Sequence, residues 1–247
     1  MRTWCKRMLD VVVAGLALAV LAPVLALIAL LIVLDSPGSV FYRADRVGFR
    51  GRPLRMLKFR KMPTDARGAS LTIAEDERLT RIGAWLARTK LDELPQLWHV
   101  LRGDMSLVGP RPESPDFVDR YRVEYGLILS VRPGITGYTQ LAFAREGQIL
   151  DPYDPERHYV SGLLPQKVGL DRLYAARVSL RGDVQILGAT ILTLVLGQPM
   201  AVDRTTGALS LRRRRPVVEP PRPARTMAPI HDLAVDMPLE RSSEGRS

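Results

Sequence analysis

The sequence predicts an α+β protein, mostly helical. A re-entrant N-terminal membrane helix over residues 1–35 leads into a small domain with short strands over 36–198, followed by a disordered basic tail over 199–247. Three observations carry this reading. Val11 to Leu34 is an uncharged, apolar run of about 24 residues, which as a helix spans roughly 36 Å, a membrane length. Residues 36–198 mix short β-patterned stretches with apolar positions at helical spacing. After Gln198, large apolar residues thin out, prolines recur and Arg212 to Arg215 cluster, a composition that buries too little surface to offset chain entropy.

The apolar run has basic residues on both flanks: Arg2, Lys6 and Arg7 before it, and Arg43, Arg46, Arg50, Arg52 and Arg55 after it. A cleaved signal peptide has a shorter apolar core and a small-residue cleavage site, and neither is present. Lysines and arginines favour the cytoplasmic side, so both flanks belong there. A straight span fails that condition, whereas a helix that enters and returns meets it. Pro23, at the midpoint, removes a backbone donor and is the expected bend.

The chain has 247 residues and a formal net charge of +10. That balance calls for an anionic partner: a membrane surface, a nucleic acid or a phosphorylated substrate. Cys5 is the sole cysteine, which excludes an intrachain disulfide, and three widely separated histidines argue against a zinc site. Neither phosphate-binding glycine loop nor dinucleotide fingerprint occurs.

Within the domain, Ser36-Pro37-Gly38 reads as a turn, and the arginine-rich stretch to Met62 as one or two strands joined near Gly48 to Gly51. Leu79, Ile82 and Leu86 mark a helical face. Asp92 and Glu93 then open a second helix, because Pro95 is tolerated only in a first turn and Leu94, Leu97, Trp98 and Leu101 follow at helical spacing. Gly103 suits its C-terminus. Carboxylates at a helix start are held as anions by the dipole and free N–H groups. On local chemistry alone, plain capping is the favoured reading of Asp92, ahead of a nucleophile or metal ligand. Glu113 to Tyr125 reads as one amphipathic helix with Phe117, Val118 and Tyr121 inward, Val131 to Gln140 as a turn into a strand, Glu146 to Gln166 as loop-rich, and Leu170 to Leu196 as a helix whose uncharged end suits a membrane interface.

Lys90-Leu-Asp-Glu-Leu-Pro-Gln-Leu and Gly103-Asp-Met-Ser-Leu-Val-Gly-Pro-Arg-Pro112 together resemble the signature of the bacterial sugar transferases, the monotopic polyprenyl-phosphate phosphoglycosyl transferases. Gly38, Phe41, Arg46, Gly48, Gly51, Lys58, Phe59, Arg60 and Met62 extend the match, as do Thr80, Gly83, Leu86 and Arg88, and then Arg132-Pro-Gly-Ile-Thr-Gly137. Arg43 and Leu54 depart from it, and the membrane helix carries Ala22-Pro23 where Ser-Pro is usual. The resemblance implies a cytoplasmic catalytic domain at the inner membrane. There, a nucleotide (UDP) sugar would give its sugar-1-phosphate to undecaprenyl phosphate. Asp92 would be the nucleophile, forming an aspartyl-phosphosugar. Asp92 and Glu93 would hold Mg²⁺ or Mn²⁺, and Lys58, Arg88, Arg111 and Arg132 would hold phosphates. Pro110 and Arg111 would contact the nucleotide, and Asp183 would face substrate. The implied partners are the nucleotide sugar, the polyprenyl phosphate and the bilayer, with no nucleic acid and with room for a homodimer. The competing classes are a membrane-tethered nucleic-acid or lipid binder, and a scaffold whose acids only cap a helix. The first lacks interleaved surface aromatics and a nucleic-acid motif.

Overall fold

A computed structural model describes residues 2–66, 71–73, 76–151 and 153–211. The protein is mostly helical with small sheets. The apolar N-terminal segment is one helix, α1 (Arg2–Asp35), continuous through Pro23 and long and apolar enough to cross a membrane. An antiparallel hairpin follows, β1 (Phe41–Val47) against β2 (Pro53–Phe59), registered from Phe41 opposite Phe59 to Val47 opposite Pro53. The turn lies at Phe49–Gly51, as the glycines predict. Next come α2 (Arg81–Thr89), a 3-10 turn at Leu91–Gln96, and α3 (Leu97–Arg102), which stops at Gly103 in the left-handed region, φ 91°. Strand β3 (Ser106–Val108) pairs in parallel with β4 (Gly134–Thr136).

The expected helix from Glu113 to Tyr125 is two, α4 (Pro115–Arg120) and α5 (Arg122–Ile128), because Tyr121 leaves helical geometry at φ −125°, ψ 40°. The short α6 (Tyr138–Ala142) follows β4. The expected loop at 146–166 is partly helical, with α7 (Pro155–His158) and a π-helical turn at Tyr159–Leu163 running into α8 (Leu164–Ala176). The helix expected from Leu170 to Leu196 breaks after Ala176, and α9 (Leu180–Leu196) restarts where Ser179 Oγ accepts from Gly182 N–H. Periodicity runs across both breaks, and only the second carries a cap, at Ser179. The chain keeps structure beyond Gln198: β5 (Met200–Val202) pairs antiparallel with β6 (Leu209–Leu211), and Met200 is buried in the main core. Residues 212–247, with the arginine cluster, lie outside the described residues.

Helix α1 is fixed to the domain near both of its ends. At the first, Lys6 Nζ lies 2.7 Å from Asp183 Oδ2 and donates to Val108 O at 3.0 Å. Arg7 donates to the carbonyls of Val100 and Leu101 at the end of α3. Asp10, buried, accepts from Ser106 Oγ at 2.8 Å and from Leu107 N–H at 3.1 Å. At the other end Asp35 Oδ2 accepts from Ile82 N–H at 3.0 Å, and buried Arg60 donates to the carbonyls of Ser36 and Pro37. Ile28 and Ile32 pack with Phe59 and Leu86, and Ala14 packs in the main core with Val100 and Met105. Between these contacts Leu16, Val20, Leu27 and Leu30 stay exposed, as do Ile191, Leu194 and Val195 on α9. A surface this apolar is suited to lipid.

Asp183 is thus a structural anchor and does not face the acidic pair. Its Oδ1 accepts from Tyr174 O–H at 2.8 Å, so both oxygens are committed. Asp183→Ala leaves the Lys6 ammonium without its counter-charge, and is expected to cost about 3 kcal/mol. The expected result is a lower thermal midpoint in detergent. An unchanged thermal midpoint would contradict this anchoring role.

Candidate active site

The acidic pair sits in the 3-10 turn, immediately after Lys90, which takes the left-handed conformation at φ 60°, ψ 14°. For a side chain this conformation is uncommon and marks a locally constrained backbone. It turns the chain out of α2 so that two neighbouring carboxylates have different surroundings. Asp92 is 2% exposed, and its Oδ2 lies 3.1 Å from Lys61 Nζ. Its Oδ1 is buried with no hydrogen-bond partner among the described residues. Glu93 is saturated. Its Oε1 accepts from Lys58 Nζ at 3.0 Å and from Arg111 Nη2 at 2.8 Å, and its Oε2 from Arg111 Nη1 at 3.4 Å.

The electrostatics follow from these contacts. Burial raises the Glu93 carboxyl, but Arg111 and Lys58 outweigh it and hold it well below the usual carboxylate range. Glu93 raises the Arg111 guanidinium further. Burial lowers the Lys58 ammonium, against the pull of Glu93. Glu93 is therefore an anion that organises two cations. Asp92 has one oxygen paired and one open.

The pair opens onto a cavity of about 680 Å³ that Lys58, Lys61 and Arg111 also line. Its wall carries a second polar cluster. Lys167 Nζ donates to Glu146 Oε2 at 2.9 Å and to Tyr159 O–H at 2.9 Å, and Tyr159 donates to Glu113 Oε1 at 2.5 Å. Burial raises Glu113, but Lys167 and Tyr159 overcome it and keep it low. Asp171, fully buried, accepts from the Thr139 hydroxyl. Burial pushes its carboxyl up to about 7.

Of the residues expected at the site, Asp92, Glu93, Lys58 and Arg111 come together. Four others, Asp183 described above and Arg88, Arg132 and Pro110, do not line the cavity. Arg88 is exposed on α2, its Nε donating to Ala84 O at 3.3 Å; its place four residues before Asp92 does not bring it round, because Lys90 ends the helix. Arg132 lies with its guanidinium 5.2 Å from the Phe49 ring centre and donates to Gly103 O at 2.9 Å, so it staples the first hairpin to the end of α3. Pro110 is buried and serves through its carbonyl, which accepts from Gly134 N–H at 2.8 Å. Lys61, Glu113, Tyr159 and Lys167 were not foreseen. The legible signal was Lys167, a cation beside Val168 and Leu164 on a buried helix face.

The donor set admits a divalent cation in one way. No group of three or more His, Cys, Asp or Glu side chains is placed to hold a metal among the described residues. Glu93 has no oxygen to spare, and Asp92 has one. Mg²⁺ is commonly held by one or two carboxylates together with substrate phosphates, which fits Asp92 alone on the protein side.

A family model described as bacterial sugar transferase matches residues 1–197. The UDP-glucose:undecaprenyl-phosphate glucose-1-phosphate transferase of Caulobacter vibrioides is 40% identical over 195 residues, 77% of this chain and 69% of that protein. The enzyme of the same name from Escherichia coli is 45% identical over 141 residues, 55% of this chain and 30% of that protein. The UDP-N-acetylgalactosamine-undecaprenyl-phosphate N-acetylgalactosaminephosphotransferase of Aeromonas hydrophila is 37% identical over 197 residues, 78% of this chain and 44% of that protein.

Proposed function

Because the chain belongs to the bacterial sugar transferase family, we propose that it moves a sugar-1-phosphate from a UDP-sugar to undecaprenyl phosphate through an aspartyl-phosphosugar on Asp92. The observation that carries this reading is the unpartnered Oδ1 of a buried carboxylate facing a cation-lined cavity. A nucleophile needs an available oxygen, and Asp92 has one with no partner, whereas cations engage both oxygens of Glu93. Oδ1 attacks the phosphorus next to the sugar, and the nucleoside monophosphate leaves with the electron pair of the broken P–O bond. An oxygen of the lipid phosphate then attacks the same phosphorus and returns the electron pair to Asp92. Lys58 and Arg111, held in place by Glu93, lie where the diphosphate charge must be stabilised. Mg²⁺ or Mn²⁺ would be held chiefly by the diphosphate oxygens beside Asp92, because the one open Asp92 oxygen is the attacking atom, and would offset the substrate's charge.

The re-entrant reading of α1 has structural support. Lys6, Arg7 and Asp10 at one end and Asp35 at the other bond to the same folded unit. A straight span places its ends about 30 Å apart on opposite faces of the bilayer, and a single domain does not reach both. We therefore place the domain on the cytoplasmic face of the inner membrane, with Pro23 deepest, and its product at the start of a surface glycan. Relatives of similar identity carry different sugars in their names, so the test is a panel. Purified protein with undecaprenyl phosphate should release UMP from one or more UDP-sugars and form a lipid-linked sugar diphosphate. UMP release without any lipid product across the panel would contradict the proposal.

A further inference from the structure

We propose that Lys61 is a further catalytic residue, and that it serves the second half of the reaction rather than the first. This rests on the covalent reading of Asp92 above. Lys61 is not among the residues that carry the family resemblance, yet its ammonium lies 3.1 Å from Asp92 Oδ2, with the two side chains 22% and 2% exposed. Its backbone is fixed from the other side. The Thr80 N–H donates to Lys61 O at 3.0 Å. Gly83 packs so closely on the same carbonyl that a Cβ there would come within 1.9 Å of the oxygen. The fold thus delivers one lysine to one oxygen of one carboxylate and leaves the other oxygen open.

The two half-reactions place opposite demands on that ammonium. In the first, a bond forms from Oδ1 to phosphorus, and the bond from phosphorus to the nucleotide oxygen breaks with its electron pair on the nucleotide. Negative charge leaves the carboxylate, so Lys61 stabilises the ground state more than the transition state and does not speed the step. In the second, an oxygen of the acceptor phosphate attacks the same phosphorus and the bond to Oδ1 breaks with its pair on Asp92. Charge now grows on the carboxylate beside Lys61, where a preorganised cation lowers the barrier. Glu93 cannot host this service, because its oxygens are already bound to Lys58 and Arg111. The expected consequence is a wild-type enzyme that holds little covalent intermediate at steady state.

The test uses the full-length membrane protein with sugar-labelled UDP-sugar. Lys61→Met removes the charge at similar length, Lys61→Gln does so with a polar end, and Lys61→Arg keeps it. Two rates are read: the burst of UMP without acceptor, and the loss of enzyme-bound label after undecaprenyl phosphate is added. Lys61→Met and Lys61→Gln should show a burst at least as fast as wild type, a discharge slower by about 10²-fold, and accumulated label at steady state. Lys61→Arg should discharge within about tenfold of wild type. Equal slowing of both rates, unchanged discharge, or loss of labelling in both uncharged variants would overturn the assignment. If wild type labels and these variants discharge normally, Lys61 alone is wrong. If wild type itself never retains label, the covalent reading fails and this inference falls with it.

Discussion

Asp92→Asn is expected to lower both half-reactions by about 10⁴ to 10⁶-fold, the scale on which a covalent nucleophile is lost. The substitution preserves size and shape inside the 3-10 turn. Neither the left-handed Lys90 before it nor the packing of Pro95 and Gln96 after it depends on the charge. Lys61, 22% exposed, is free to turn toward water. The variant should therefore fold, stay in the membrane and bind nucleotide, yet release no UMP with or without acceptor. Stopped UMP assays on the purified variant, with a nucleotide-dependent thermal shift as the folding control, check this. Turnover within about tenfold of wild type would reduce Asp92 to a helix cap.

Glu93→Gln is expected to damage stability and chemistry together. Glu93 is the sole carboxylate bonded to Lys58 and Arg111 among the described residues. Removing its charge leaves two cations facing each other in a partly buried site, at a cost of about 3 kcal/mol. The same cations become free to bind a diphosphate or monophosphate. Added UMP should therefore raise the thermal midpoint of the variant more than that of wild type, while turnover falls about 10²- to 10³-fold because the cations are no longer held in register. Equal UMP shifts in the two proteins would show that Lys58 and Arg111 do not meet substrate.

The parts of the fold that depend on local chemistry were legible. Gly48 and Gly51 bracketed the hairpin turn, Gly103 ended α3, and Pro95 dated the start of the acidic turn. The breaks at Tyr121 and Arg177 were not, since the apolar pattern continues through them. The hairpin at Met200 to Leu211 was hidden because a short strand pair surrounded by polar residues has the composition of a tail; it is ordered by contact with the main core. At the site, the residues that the matched motifs name, Lys58 included, were readable, and partners outside those motifs were not. Lys61 reaches Asp92 across 31 positions, and Lys167 reaches Glu113 across 54. Arg88 and Arg132 were assigned to phosphates, and Asp183 to the substrate, because a charged residue in a matching motif invites it. The structure gives each a different partner: a carbonyl of its own helix for Arg88, an aromatic ring for Arg132 and the Lys6 ammonium for Asp183.

The most direct measurement is a single half-reaction. Wild-type protein is mixed with labelled UDP-sugar and divalent cation in the absence of any lipid acceptor, then denatured and separated from free nucleotide. The account predicts one UMP released per labelled site and a sugar phosphate retained on the polypeptide. The label should be cleaved by hydroxylamine as an acyl phosphate is, be discharged by undecaprenyl phosphate added before denaturation, and be absent from Asp92→Asn. No retained label, with UMP appearing only when both substrates are present, would mean direct transfer between them and would contradict the covalent role of Asp92.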